Sequence, residues 1–153
     1  MSEAKDVDVR IRAPEAGDVE ALAELMTQLG YPTRASEMQM RMETILANKS
    51  YATFVAVSNG KVCGMIGTFA QQTYEHNSPC AKILALVVSD KMRGRGVGQA
   101  LIEAAEQDLA GKNIKRIAVN ARFEREQAHK FYENLGYTKN GFRLVKELPM
   151  PAD

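Results

Sequence analysis

Several protein classes are ruled against by what this chain does not contain. It has two cysteines, Cys63 and Cys80, in 153 residues. Neither sits in a CxxC pair or beside a histidine cluster, which argues against a disulfide scaffold and a structural zinc site and leaves two reduced thiols. No stretch approaches the ~18 apolar residues of a membrane span, and Met1 to Val9 holds no apolar segment of signal-peptide length. The expectation is a soluble, cytoplasmic protein with no membrane partner. One-sided charge is also missing: 20 basic and 19 acidic side chains leave a formal charge of +1, too small a field to hold nucleic acid. The local basic run from Lys112 to Arg116 has no aromatic platform beside it, so nucleic acid is not an expected partner. There are no internal repeats, low-complexity tracts or Pro/Ser-rich linkers. Residues 1–153 therefore read as a single domain, 45% hydrophobic and large enough to bury roughly two-thirds of its unfolded surface.

What is present is a regular alternation of strand and helix periods. Val7, Val9 and Ile11 alternate with Asp8, Arg10 and Arg12 as in a half-buried strand that Pro14 ends. Val19, Leu22, Ala23, Met26 and Leu29 follow helical spacing from about Asp18, with Gly30 where a left-handed cap is wanted. Ser36 and Gln39 have the spacing of a capping box, ahead of a helical stripe of Met38, Met42, Ile45 and Leu46 that ends near Asn48. Tyr51 to Val57 and Lys61 to Thr73 form a hairpin about Ser58-Asn59-Gly60. After the turn at Asn77-Ser78-Pro79, the apolar run Ile83 to Val88 predicts a central strand covered on both faces. Val97, Leu101, Ala104, Ala105 and Leu109 predict a helix that Gly111 terminates, and Ile114 to Val119 predicts another strand. Ala128, Phe131, Tyr132 and Leu135 predict a last helix capped by Gly136, and Tyr137 to Leu148 a last strand turning near Lys139-Asn140-Gly141. The order is that of an α/β protein whose sheet mixes antiparallel hairpins with parallel crossovers.

Chemistry concentrates where the central strand empties into Arg93-Gly94-Arg95-Gly96-Val97-Gly98 at the start of a helix. Such a turn gathers free backbone N–H groups and the positive end of the helix dipole around one point, a natural seat for phosphate. A side chain at Gly94, Gly96 or Gly98 would hold a diphosphate away from the backbone, while Arg93 and Arg95 add charge at the rim. A P-loop needs Gly-Lys-Ser/Thr, but Gln99 and Ala100 follow Gly98. A GxGxxG dinucleotide fingerprint needs glycine at position 99, which is Gln99.

The run after Leu86-Val87-Val88 instead resembles the R/Q-x-x-G-x-G/A signature of the GNAT superfamily of N-acetyltransferases. Ala128-His129-Lys130-Phe131-Tyr132-Glu133-Asn134-Leu135-Gly136-Tyr137 resembles that family's A-x-x-F-Y-x-x-x-G-[FY] segment. The resemblance covers about residues 9–148 and implies an α/β fold with a mixed central sheet of about six to seven strands flanked by four helices. It implies transfer of an acetyl group from acetyl-CoA, used as co-substrate and without a metal, to a primary amine. It also implies that the diphosphate lies on Arg93 to Gln99 and the pantetheine arm between the fourth and fifth strands. There the backbone of Leu86, Val87 and Val88 would meet the arm on one side and Asn120 on the other. Lys91, Arg122, Arg125 and Lys130 are either cations flanking the nucleotide end or ordinary solvated charges. Met38, Met40 and Met42 are either core or the lip of an acceptor pocket.

By the same resemblance Tyr132 is the acid that protonates the departing thiolate. A phenol, whose ordinary pKa is near ~10, is protonated at neutral pH and suits that step. Many relatives carry a glutamate base on the fourth strand, yet Ile83 to Val88 contains no acidic residue. Glu75, His76 or water are left to take the proton of the amine. The acceptor is expected to be a small-molecule amine. A protein lysine or N-terminus, and a non-catalytic acyl-CoA-binding module, are the alternatives, and a homodimer is an arrangement the resemblance allows.

Overall fold

The computed structural model describes residues 8–120, 126–141 and 144–149. These fall into two compact units, one ending at Val119 and one beginning at Asn120. The first unit is a five-stranded sheet in sequential order, β1 (Arg10–Arg12), β2 (Tyr51–Ser58), β3 (Lys61–Gln71), β4 (Cys80–Val88) and β5 (Ile117–Val119). β1 to β4 pair antiparallel. β5 runs parallel to β4, as it must, because helix α3 (Val97–Gly111) makes the crossover between them. The β2–β3 hairpin closes on Asn59 (φ 52°) and Gly60 (φ 76°), the two left-handed residues of a tight primed turn.

Side-chain alternation assigns the helices to faces. Helices α1 (Val19–Leu29) and α2 (Ala35–Leu46) bury Leu22, Leu25, Met38 and Met42 against Val55, Val57, Met65 and Val87. The next residue in β3, Gly64, points to the other face, where Leu101 and Val97 of α3 lie. α1 starts where Arg12 pairs with Asp18, Nη1 to Oδ2 at 2.8 Å and Nη2 to Oδ1 at 3.1 Å. It ends on Gly30 at φ 119°, whose N–H reaches the carbonyls of Met26 and Thr27.

Three details differ from the sequence expectations. The capping box of α2 lies two residues earlier than Ser36 and Gln39: Glu37 accepts the Arg34 N–H at 2.8 Å, which holds its carboxyl below the usual range. Gln39 instead donates to Glu43 at 3.1 Å. α3 runs through Gly111, and the left-handed residue behind it is Asn113 (φ 63°), an asparagine being able to take that conformation. The described residues form five strands where six to seven were expected, since residues 137–141 and 144–149 of the predicted last strand carry no strand. Leu144, Val145 and Leu148 are exposed there, so the alternating pattern has no buried face to specify a strand.

In the second unit, α4 (Glu126–Asn134) ends as its sequence predicts. Gly136 sits at φ 95°, and the N–H of Tyr137 reaches back to the Tyr132 carbonyl at 3.0 Å.

Candidate active site

β4 is not a regular strand. Gly67 pairs with Ala85 and the next residue, Thr68, with Ile83, so Leu84 is an extra residue bulged out of the β3–β4 ladder. A bulge bends its strand and increases the local twist. The effect is visible on the opposite side, where pairing of β4 with β5 stops at Ile83 and Val119. From Leu84 to Val88, β4 is paired to β3 and has no described strand on its other edge. Backbone N–H and C=O groups there are left for another partner. Burial follows the same irregularity. Val87 is buried and Leu84 is 54% exposed, so this strand is not covered on both faces as its apolar run suggested.

Beyond β4 the chain is fixed before it reaches the glycines. The Ser89 N–H donates to the Cys63 carbonyl at 2.8 Å, and the Asp90 N–H to Gln28 Oε1 at 2.9 Å. Asp90–Met92 makes one 3-10 turn. Arg93 Nε then folds back onto the Val88 carbonyl at 3.2 Å, tying the turn to the end of the strand. Gly94 (φ 77°) and Gly96 (φ 85°) are both left-handed, which L side chains adopt at a cost. Gly98 has ordinary helical backbone, so what its missing side chain provides is space. The first helical bond is Ala100 N–H to the Gly96 carbonyl, at 3.0 Å. The N–H groups of Val97, Gly98 and Gln99 precede it at the positive end of the helix, with no side-chain cap. Val97 anchors this end at 1% exposure, and the Gln99 side chain turns aside to Glu103 at 3.1 Å. Arg95 is exposed at the rim.

A glycine not foreseen from sequence brings the helix close to the sheet. A Cβ on Gly64 would lie 3.1 Å from the Val87 carbonyl, 3.1 Å from Leu101 Cδ1 and 3.3 Å from Val97 Cγ1. Its signal, a lone glycine in a strand, was present in the sequence, but only the register shows what approaches it.

Leu86 to Gln99 thus form one continuous strand–turn–helix run, whereas Asn120 and Tyr132 belong to the second unit. Asn120 is exposed directly after β5. Tyr132 is half-buried; its ring packs edge-on to Phe131 at 5.3 Å and to Tyr137 at 5.5 Å. Burial raises its pKa above that of an ordinary phenol, so it stays protonated across the neutral range. Glu75 and His76 are exposed in the β3–β4 connection, where Gln72 Nε2 donates to the His76 carbonyl at 2.7 Å. Lys91 and Lys130 are exposed, and Arg122 and Arg125 lie outside the described residues. The methionines divide: Met38 and Met42 are core, and Met40 is 70% exposed. Among the described residues no three His, Cys, Asp or Glu side chains cluster as a metal ion would require.

Residues 19–137 match the acetyltransferase (GNAT) family. An aminoalkylphosphonate N-acetyltransferase of Salmonella typhimurium is 33% identical over 94 residues, which is 61% of this chain and 61% of that protein. Among solved structures, a transcriptional regulator from Bacillus halodurans superposes with a TM-score of 0.85 at 20% identity, over 92% of this chain and 100% of its own. A GNAT family acetyltransferase of Staphylococcus aureus superposes with a TM-score of 0.80 at 26% identity, over 93% of this chain and 100% of its own. With a bulged fourth strand that opens beside a glycine-capped helix, and a family match over most of its length, the chain belongs to the GNAT family of acetyltransferases, whose acyl donor is acetyl-CoA.

Proposed function

We propose that this protein moves an acetyl group from acetyl-CoA to the primary amine of a small molecule, by direct attack of the amine on the thioester. The observation that carries the reading is the open edge of β4 from Leu84 to Val88, which leads without a break into the uncapped N-terminus of α3. Pantetheine has two amides, and an unpaired strand edge can satisfy them as it would a peptide. The backbone of Leu86, Val87 and Val88 holds the arm. The amides of Val97, Gly98 and Gln99, with Arg93 and Arg95, hold the diphosphate. Asn120 meets the arm from the other side. Acetyl-CoA supplies an activated thioester.

This chain's own residues supply position and one proton. Tyr132, kept as a neutral phenol by burial, donates to the sulfur as charge develops on it. An alkylammonium with a pKa near ~10.4 must lose its proton before it can attack. β4 offers no carboxylate for that, so the proton leaves to water or by way of Glu75 or His76. The aminoalkylphosphonate enzyme among the relatives supports a small-molecule acceptor in preference to a protein one.

Calorimetry with CoA tests the donor site. Binding is expected for the native protein, and Gly96→Val, which places a β-branched side chain on a left-handed backbone facing the ligand, is expected to weaken it at least tenfold. Equal affinity in the two proteins would overturn this assignment of the cradle.

A further inference from the structure

Within the first unit, α1 and α2 cover only half of the sheet face they pack on, and the boundary falls at the bulge. Directly paired residues share a face, so the rows can be read across the sheet. Val55, Met65 and Val87 form one row, all three buried. One row further from the helices, Thr53, Gly67 and Ala85 are half-buried. Beyond that comes Tyr51, Phe69, Lys82 and Ala118, in which Lys82 and Ala118 are exposed. Tyr51 and Phe69 pack ring to ring at 4.8 Å, and the bulged Leu84, 54% exposed, interrupts β4 between Ala85 and Ile83. Within the first unit this half is a shelf floored by Tyr51 and Phe69, with the bulge at its edge and Lys82 as its charged group. No residue of these rows is acidic, and Lys82 forms no ion pair among the described residues.

We infer that this shelf receives the acceptor and that Lys82 binds an oxyanion on it, so the acceptor is a small amine that also carries a carboxylate, phosphate or phosphonate. The inference rests on the proposed acetyl transfer, because it places the amine at the bulge beside the open β4 edge. Two residues of strand, ~7 Å, separate Lys82 from Leu84, about the reach of one lysine side chain. An acceptor whose amine and oxyanion lie a few bonds apart spans that distance. A cation that forms no ion pair among the described residues attracts such a molecule and repels a plain alkylammonium or polyamine. The apolar floor accepts the short alkyl link between the two groups.

The test is steady-state acetylation of 2-aminoethylphosphonate, β-alanine and n-propylamine, followed by thiol release, with the native protein, Lys82→Gln and Lys82→Arg. The native protein is expected to favour the two anionic amines over propylamine by tenfold or more in kcat/KM. Lys82→Gln should lower kcat/KM for the anionic amines roughly 10- to 100-fold, the scale of a lost charge-assisted bond. It should leave propylamine and the KM for acetyl-CoA unchanged, and Lys82→Arg should restore most of the preference. Lys82 is exposed, so all three proteins are expected to share one melting temperature. A native preference for propylamine, or an equal effect of Lys82→Gln on all three amines, overturns the inference. CoA binding without turnover of any of the three overturns it as well while leaving the donor site standing; loss of CoA binding in the native protein would instead remove the reading beneath it.

Discussion

At the scale of single residues, the proposed mechanism depends on a phenol that resists ionisation. Burial raises the pKa of Tyr132, so its neutral form persists until pH passes above the ordinary phenol value near ~10. Tyr132→Phe keeps the ring packing against Phe131 and Tyr137 and removes the proton. Its kcat is expected to fall roughly 10²- to 10⁴-fold with CoA affinity unchanged by calorimetry, and a comparable loss of affinity would assign the hydroxyl to binding. Gly64 carries a different kind of demand. Alanine there crowds the Val87 carbonyl of β4 and the Val97 and Leu101 side chains of α3, and overpacking of this kind costs about 1–3 kcal/mol. Thermal melts of Gly64→Ala should fall accordingly, and its CoA affinity should weaken, because Val97 and Leu101 set the position of the helix N-terminus. Gly94 and Gly96 were legible in the sequence because a glycine-rich turn behind a strand has a local signature. Gly64 and Lys82 were not, because what they face is decided by which strand lies alongside and in what register.

At the scale of elements, hydrophobic period was enough for α1, α3, α4 and the β2–β3 hairpin, each of which satisfies its own pattern locally. The bulge at Leu84 was invisible to that reading. An apolar run such as Ile83 to Val88 looks the same whether regular or bulged, and the extra residue shows itself only against β3. The 3-10 turn at Asp90–Met92 was likewise unforeseen. Its anchor is Gln28, which sits 62 residues away in sequence and links α1 to the turn proposed to hold the cofactor. Gln28→Leu removes the acceptor of the exposed Asp90 N–H, a net loss of about 0.5–1.5 kcal/mol. The KM for acetyl-CoA should rise several-fold with little change in kcat; Gln28→Glu keeps an acceptor oxygen but trades its donor to Glu24 for a second carboxylate, so its KM should fall between the two. An unchanged KM in Gln28→Leu would mean that the turn holds its shape without α1.

For the molecule as a whole, two couplings set stability. Asp18 is held below the usual carboxylate range, first by its hydrogen bond with Arg12 and then by the Glu15 N–H. A carboxyl whose native pKa is depressed contributes stability that is fully present above its unfolded pKa near ~4 and is lost as pH falls through the native value. Melting temperature measured downward from pH 5 should therefore drop more steeply for the native chain than for Asp18→Asn, which begins less stable and lacks that titration. The second coupling is to ligand. The proposed donor site, built on the native register of β4 and α3, is absent from the unfolded chain, so CoA at 100 times its dissociation constant should add about 2.7 kcal/mol. For a chain of this size that is roughly 5–10 °C of melting temperature. The α/β class and the order of elements could be read from sequence over nearly the whole length. The five-strand count could not, since whether the C-terminal residues add a strand depends on finding an apolar surface to lie on.

The half-covered sheet face also bears on how this protein could change over generations. Lys82, Leu84 and Ala118 are exposed on the half of the sheet beyond α1 and α2, so replacements among them open no core cavity, and exposed positions of this kind usually shift stability by no more than ~0.5 kcal/mol. One row away, truncating Val55, Met65 or Val87 would leave a void beneath α1 and α2. On the inferred acceptor shelf, preference is thus free to drift under selection while the proposed donor half stays constrained, and one scaffold can explore new amines without first having to survive a weakened fold.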